Sequence, residues 1–429
     1  MSKQILKALP ELVEVKVITE ETALQIRKYY SDHPDQPTNR LFLVFGILGS
    51  LLVGMGIVLI LAHNWDEFPK AVKLFIGLFP LLASQAVCGY LFFSGSNNRT
   101  SKEVAACFLV FSIAISISIV SQVYNIEGNL GDFILYWMVL TLPVVYLMRA
   151  SFVSLLFICG TTWYGCETSY FNYPHDVAIY YWILLALIIP FYYTEYLRTH
   201  RKNNFFYFHS WLLALSLTIC LATFAQHNEE IILIAYMSMF SAFIMISDLR
   251  QFDTGRVISN AFLVIGSLGV IGLMLSLSFS FFWDSIDNFR DENFALSLEF
   301  IVSIVVSLAA AALLLITLRT SKLSEVNNKS SAFIFFIILF IVGISMPALA
   351  QILTNFVILL FAVTTILSGA RKNHLGILNY GLLIITALII CRFFDTDFSF
   401  VIRGLLFIAV GAGFFAANFY LIRKRKTQS

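Results

Sequence analysis

Charged side chains are scarce in this chain. Lys, Arg, Asp and Glu make up 13% of its 429 residues, against about 25% in ordinary soluble domains. Hydrophobic residues reach 59%, and the mean hydropathy is +0.82. A soluble core could not hide that much apolar surface. The composition therefore excludes a soluble globular protein and predicts an integral membrane protein.

The usual signatures of catalysis, metal binding and processing are missing as well. There is no HExxH, GxSxG, P-loop or glycine-rich dinucleotide motif. The six cysteines form no CxxC pair and lie in or beside apolar runs, so we interpret them as small hydrophobic residues. We predict no cofactor, no metal site and no nucleic-acid partner, and the sequence gives little support for an enzyme. We also predict that no removable signal peptide precedes the first apolar run.

Fourteen apolar runs approach the roughly 20 residues that a helix needs to cross a bilayer. We therefore predict an all-α fold, a polytopic transmembrane helical bundle of about 14 spans. Around Pro347 the pattern leaves open whether there are two spans or one broken span. The predicted spans are Leu41–Ala62, Leu74–Phe93, Val104–Tyr124, Phe133–Leu147, Phe152–Cys166, Val177–Tyr193, Phe205–Ala225, Ile231–Ile246, Val257–Phe281, Phe300–Leu318, Ala332–Met346, Leu349–Ser368, Leu375–Cys391 and Leu405–Ile422.

The basic residues in the connections predict the orientation of the bundle. With the N-terminus inside, one side of the membrane receives 23 of the 28 Lys and Arg residues. The other side receives only Lys70, Lys73, Arg290, Arg392 and Arg403. Because Lys and Arg concentrate in cytoplasmic loops, we predict that both termini are cytoplasmic. Charge is nearly absent inside the spans, which disfavours a proton pump or a voltage sensor.

Three regions are predicted along the chain: a leader at residues 1–39, the bundle at 40–422 and a basic tail at 423–429. The leader shows helical patterns at Ile5–Val13 and Glu20–Tyr30, with Thr19 as the N-cap of the second. We interpret it as a short cytoplasmic helical hairpin packed on the bundle; the alternative is a docking surface for a protein partner. A Gly-Ser and a Trp-Asp recur in the first and ninth spans, which suggests a parallel repeat of residues 40–200 and 256–422.

Polar residues gather near the end of the third span. Because a polar group in lipid must face another helix or a cavity, two interpretations stay open: hydrogen bonds between helices, or a polar cavity toward the outer face. Single polar groups, including His209, Gln351 and Asn355, lie in other spans. The candidate cavity lining is Ser118, Ser121, Gln122, Tyr124 and Asn125.

A second candidate site is a polar cluster at the outer face. It joins the end of the first span to the last outer turn, provided that the first and last helices are neighbours. A catalytic or binding role is one interpretation, and interfacial anchoring by Trp65 with ion pairing of the arginines is the other. The cluster consists of His63, Asn64, Asp66, Arg392, Asp395 and Arg403.

Four stretches carry a resemblance to a known family: ELVEVKVITEETALQI in the leader, AHNWDEFP after the first span, SQVYNIEGN with YWMVLTLP, and RFFDTDFSFVIRGLLFIAVG near the end. In these the chain resembles a bacterial family of predicted membrane proteins known as domain of unknown function twenty-one fifty-seven. The resemblance implies a multi-pass protein of the bacterial inner membrane and supplies no activity. It marks as family-pattern positions Asn64, Trp65, Asp66, Gln122, Tyr124, Trp137, Arg392, Asp395, Arg403 and Gly404.

The functional hypothesis that follows is a transporter-like or lipid-handling membrane protein whose partners are membrane lipids. The span number, the short loops and the polar patch of the third span favour it. One alternative is a membrane enzyme of envelope biogenesis that acts on a lipid-linked substrate through His63, Asp66 and Arg403. A second is a non-catalytic scaffold that recruits a partner through the leader and the basic tail.

Overall fold

The computed structural model describes most of the chain in two compact units, Met1–Phe75 and Ile76–Ser429. The described residues are 9–10, 12–32, 65–95, 98–171, 176–199, 202–226, 229–249, 251–252, 257–286, 294–320, 331–371, 374–395 and scattered positions between 401 and 419. The predicted first span, the basic tail and most of the predicted last span lie outside them.

Every regular element in the described ranges is helical, which confirms the all-α prediction. Short 3-10 turns and one π-helical turn, Tyr193–Leu197, supplement the α-helices. The α-helices are α1 (Glu20–Asp32), α2 (Lys70–Phe93), α3 (Arg99–Tyr124), α4 (Leu130–Met148), α5 (Ser151–Ser169), α6 (Ile179–Tyr192), α7 (Asn204–Cys220), α8 (Glu229–Ser247), α9 (Ala261–Ser276), α10 (Ser280–Ile286), α11 (Leu298–Thr320), α12 (Ala332–Ser345), α13 (Pro347–Arg371) and α14 (Leu375–Asp395).

Eight helices in the described part are long and apolar enough to cross a membrane: α2, α3, α4, α7, α8, α11, α13 and α14. Helices α9 and α12 are apolar but shorter. Each of these ten helices falls on a predicted span, and α5 and α6 fall on two more. The chain is therefore a multi-pass helical protein, while the number fourteen and the placement of the termini stay predictions.

Within Met1–Phe75, the second helical pattern of the leader is confirmed. Helix α1 begins at Glu20, and the Thr19 side chain accepts a hydrogen bond from the Thr22 backbone N–H at 3.3 Å, as an N-cap does. Ala23 and Ile26 are half-buried on one face of this helix. Of the first pattern, residues 9–10 and 12–13 are helical.

Within Ile76–Ser429, α8 is the central helix. Of its most apolar stretch, 67% is buried, the largest share among the candidate spans. It packs on α9 and on α11. Small residues of α11 make the second contact, because Ser303 donates a hydrogen bond to the Ile231 carbonyl and Ser307 pairs with Ser238 at 2.8 Å. Ser303 and Ser307 therefore contribute to helix–helix packing.

The chain turns back at Pro347, so α12 and α13 are two helices rather than one broken helix. Met346 leaves the helical conformation, with φ −141° and ψ 73°. The Phe335 and Phe361 rings then meet with centroids 6.1 Å apart. In one straight helix these residues would stand about 39 Å apart, given a rise of about 1.5 Å per residue.

Glycines let α13 and α14 approach closely. A Cβ built on Gly369 would lie 2.4 Å from the Leu378 backbone nitrogen, and one on Gly381 would lie 2.9 Å from the Ala362 carbonyl oxygen. Such contacts are closer than any side chain allows. Small residues at these positions therefore set the distance between the two helices, as is usual in membrane bundles.

Candidate functional site

The site begins at the tight turn between α4 and α5, where Arg149 takes a left-handed conformation. Its φ and ψ are 49° and 42°, and its N–H closes the end of α4 on the Val145 carbonyl. Glycine is the usual residue at such a helix end, and an L side chain there costs about 1–2 kcal/mol. An arginine therefore occupies a position where glycine would have a lower conformational free energy. Backbone strain of this kind is frequent at functional sites.

Two charged residues of α3 fix the start of α5. The N-cap of α5, Ala150, has no side chain that can cap the helix. Instead, the Glu103 carboxylate accepts hydrogen bonds from the Ser151 N–H at 2.6 Å and the Phe152 N–H at 3.0 Å. Arg99 donates to the Ser151 hydroxyl at 2.7 Å. A carboxylate at a helix N-terminus also interacts favourably with the positive end of the helix dipole. Glu103 therefore connects α3 to the N-terminus of α5 and stabilises it.

The π-helical turn after α6 divides its side chains between the interior and the surface. Tyr196 is buried and donates a hydrogen bond to the Ser151 hydroxyl at 2.6 Å. Thr194, Arg198 and Thr199 are exposed, and Glu195 is half-buried. Single π turns inside helices are frequent at functional sites because they change which residues face outward.

These elements line an open cavity of about 630 Å³, which we call the arginine cavity. Arg149 and Arg198 supply its cationic groups, and Glu195 supplies a carboxylate 3.8 Å from the Arg149 Nε. Phe191 and Tyr146, in edge-to-face contact with centroids 5.7 Å apart, form its apolar part. Its lining is Tyr146, Arg149, Phe191, Thr194, Glu195, Arg198 and Thr199.

The hydroxyl groups of the arginine cavity have a defined polarity. Thr194 donates its hydroxyl hydrogen to carbonyls of its own helix, those of Pro190 at 2.9 Å and Phe191 at 3.2 Å. Thr199 likewise donates to the Glu195 carbonyl. Because a hydroxyl has one hydrogen and two lone pairs, the oxygens of both threonines can still accept a hydrogen bond. Tyr146 likewise donates its hydroxyl hydrogen to the Leu187 carbonyl, so the site combines two guanidinium donors with a carboxylate and hydroxyl oxygens that can act as acceptors.

A buried histidine lies beneath this site. His209 is fully buried; its Nδ1 lies 2.6 Å from the Phe205 carbonyl oxygen and its Nε2 pairs with the Ser154 hydroxyl. A carbonyl only accepts, so Nδ1 carries the proton. The Tyr196 ring packs on the imidazole with centroids 4.9 Å apart, and the Phe191 ring packs at 6.5 Å. His209 therefore joins α5, α6 and α7 under the arginine cavity.

A second cavity of about 390 Å³ has Glu103 in its lining. Apart from that carboxylate, its lining is apolar or a thiol: Val104, Cys107, Phe108, Phe111 and Phe152. Apolar walls of this kind suit hydrocarbon rather than a polar solute.

The predicted outer-face cluster is only partly described. His63, Asn64 and Arg403 lie outside the described residues, as does the side chain of Asp395. Asp66 is exposed in a 3-10 turn beside Trp65. The Lys73 ammonium nitrogen lies 5.4 Å from the centroid of the Trp65 ring. The structure therefore neither assembles nor separates this cluster.

Arg392 lies instead at the end of α9. Its Nη2 donates to the Ser278 hydroxyl at 3.1 Å, and its guanidinium lies 5.0 Å from the Phe279 ring centroid. The Ser278 carbonyl accepts hydrogen bonds from the side-chain amides of Gln351 and Asn355. A cation at a helix C-terminus is favourable, so three polar residues that were predicted separately meet around one helix end.

The predicted cavity lining forms the last turns of α3. Ser118 and Ser121 are half-buried, while Gln122, Tyr124 and Asn125 are exposed. Ser121 donates to the Ile126 carbonyl at 2.9 Å, and Asn125 ends the helix in the left-handed conformation. Its role as a cavity lining stays a prediction. In the described part of the chain, no three His, Cys, Asp or Glu residues are grouped as a metal would require.

Sequence analysis missed the residues that build the arginine cavity. Arg149 and Arg198 counted only as positive charges in the connections, and Glu195 was overlooked. The short interval between two apolar runs at Arg149 was the available signal, since such a turn favours glycine. No local pattern indicated that the π turn would bring Glu195 beside Arg149.

The apolar helices and the sites at their ends define a multi-pass helical membrane protein. Residues 10–154 match the model of a family described as Predicted membrane protein (DUF2157). This confirms the resemblance over about a third of the chain, including the first three of the four stretches that suggested it. No curated protein and no solved structure matches the chain.

Proposed function

We propose that this protein is a lipid-handling membrane protein that binds a phospholipid headgroup in the arginine cavity. One observation carries the proposal: Arg149 occupies a left-handed position at the end of an apolar helix, and it lines one cavity together with Arg198. Guanidinium groups bind phosphate with paired hydrogen bonds. Basic pockets between membrane helices are established headgroup sites.

The position of the cavity along the helices fits this role. It lies where α4 and α6 end, so its charged groups stand at the depth of lipid headgroups while the spans beside them contact acyl chains. Tyr146 and Phe191 supply an apolar wall for the glycerol region. The distribution of Lys and Arg supports a cytoplasmic location for this end, with both termini on the same side of a bacterial inner membrane.

Replacing Arg149 by glycine separates the two roles of this residue. Phospholipid affinity should fall about tenfold, the loss expected for one charged hydrogen bond. The stability of the lipid-free protein should stay unchanged or rise by about 1 kcal/mol, because glycine suits the left-handed turn. Lipid-dependent thermal unfolding of the purified protein measures both, since ligand at 100 times its dissociation constant adds about 2.7 kcal/mol.

Arg371→Gln is the matched control, because Arg371 is an exposed arginine in the last turn of α13. It should bind phospholipid as the unmodified protein does. A diacylglycerol, which lacks the phosphate, should stabilise none of the three proteins. Equal phospholipid binding by Arg149→Gly and the unmodified protein would contradict the proposal.

Transport of the bound lipid across the membrane is the transporter-like form of the same proposal. The enzyme and scaffold alternatives differ from it in what they require. The enzyme needs Asp66, so Asp66→Ala would abolish function and leave folded protein. The scaffold needs the leader, so deletion of residues 1–38 would abolish function without unfolding the bundle.

A further inference from the structure

We propose that the arginine cavity selects phospholipids whose headgroup carries a primary ammonium, as in phosphatidylethanolamine. This assignment rests on the proposed phospholipid binding and adds the identity of the headgroup. It follows from the acceptor groups of the cavity, which the phosphate of a lipid cannot use.

The acceptors are arranged for a group with several N–H bonds. The Glu195 side chain is 15% exposed and belongs to the lining. The hydroxyls of Thr194 and Thr199 donate their hydrogens to backbone carbonyls, so the lone pairs of their oxygens remain available as acceptors. A primary ammonium offers three N–H donors. The carboxylate and the hydroxyl oxygens therefore supply acceptors for these donors.

The donors are arranged for the phosphate of the same headgroup. Arg149 and Arg198 carry guanidinium groups, which donate hydrogen bonds and never accept them. Arg149 also lies 3.8 Å from Glu195, so the cationic and anionic parts of the cavity are adjacent. Phosphate and ammonium are adjacent in phosphatidylethanolamine too. The dipolar cavity therefore matches a dipolar headgroup.

Two other common headgroups fit less well. Phosphatidylglycerol has no cation, so Glu195 would face its phosphate with like charge, which costs affinity. Phosphatidylcholine has a cation without N–H bonds, so the acceptors of the cavity would lose their water without gaining hydrogen bonds. A polar group left unpaired in this way opposes binding.

The test compares short-chain lipids with the same acyl chains on the detergent-purified full-length protein, by native mass spectrometry and by thermal unfolding. Phosphatidylethanolamine should bind about tenfold more tightly than phosphatidylglycerol or phosphatidylcholine, as one charge-assisted hydrogen bond predicts. Monomethyl and dimethyl ethanolamine lipids should bind with stepwise lower affinity, because each methyl group removes an N–H donor.

Glu195→Gln keeps the shape of the side chain and removes its charge. It should reduce phosphatidylethanolamine affinity about tenfold and leave phosphatidylglycerol affinity equal or higher. Thr194→Val should weaken only the ammonium lipid, by a smaller factor. Glu127→Gln, an exposed glutamate in the α3–α4 connection, is the matched control and should change neither affinity.

The outcomes separate this inference from the proposal on which it rests. Equal affinity for the three headgroups, or a preference that Glu195→Gln leaves intact, overturns the ammonium assignment and keeps phospholipid binding. Failure of every phospholipid to bind overturns both. Thermal unfolding without lipid shows that each variant is folded, and Thr194→Val supplies the acceptor test if Glu195→Gln does not fold.

Discussion

Replacing Gly369 by alanine should destabilise the α13–α14 hairpin by about 3 kcal/mol, the upper part of the range for overpacked sites. The added Cβ would lie 2.4 Å from the Leu378 backbone nitrogen and 2.8 Å from its Cα. Backbone atoms cannot rotate away, so the two helices must separate. Unfolding of the purified protein by denaturing detergent, followed by circular dichroism, measures the loss.

Two other glycines calibrate this result. Gly89 in α2 has nothing within 4 Å of an added Cβ, so Gly89→Ala should stay within about 1 kcal/mol of the unmodified protein. At Gly160 the obstacle is the flexible side chain of Met138, so Gly160→Ala should cost less than Gly369→Ala. If Gly369→Ala is as stable as Gly89→Ala, then α13 and α14 do not pack as closely at Gly369 as in the structure.

Removing the Glu103 carboxylate should have an effect of similar size. Glu103→Ala deprives the Ser151 and Phe152 N–H groups of their acceptor, and it leaves Arg99 without its neighbouring anion. The expected cost is about 3 kcal/mol, as for a charged hydrogen-bonded group whose removal leaves the buried Ser151 N–H unpaired. Glu103→Gln should cost about 1 kcal/mol because one acceptor oxygen remains.

Glu103 variants also test whether the hydrogen bonds between Glu103 and the start of α5 stabilise the arginine cavity. Ser151 joins Arg99 and Glu103 to Tyr196, which belongs to the π turn that carries Glu195. We therefore expect Glu103→Ala to weaken phospholipid binding, although Glu103 lies outside the lining of the arginine cavity. Glu127→Ala is the control for removal of a glutamate from an exposed position. If Glu103→Ala is as stable as the unmodified protein, then Glu103 does not stabilise the contact between α3 and α5.

Helices were the part of the fold that local sequence predicted well. The run before Tyr124 and the run from Leu349 to Ser368 are apolar for long enough to cross a bilayer, and each is a helix in the structure. Thr19 caps α1 as its pattern indicated. Pro347 is the exception, because its sequence allowed either a broken helix or two helices. Contact between Phe335 and Phe361, 26 positions apart, decides between them.

The candidate sites were harder to predict because polar residues in membrane helices act in pairs. Gln351 and Asn355 gave polar signals in one predicted span and Arg392 gave one at the end of another, yet all three converge on Ser278. His209 was likewise predicted as a single polar group, and its partner Ser154 lies 55 positions earlier. Pairing across such separations depends on how each helix is rotated about its axis.

By itself, the sequence determined the environment and the helical class of this protein. Apolar length and the scarcity of charge are local properties, and in lipid a helix satisfies its own backbone hydrogen bonds whatever its neighbours are. Only the tertiary structure decided where Glu103 meets Ser151 and where Glu195 meets Arg149. These meetings depend on close packing between helices far apart in sequence and on one π turn, and neither is encoded in the hydrophobicity of any single span.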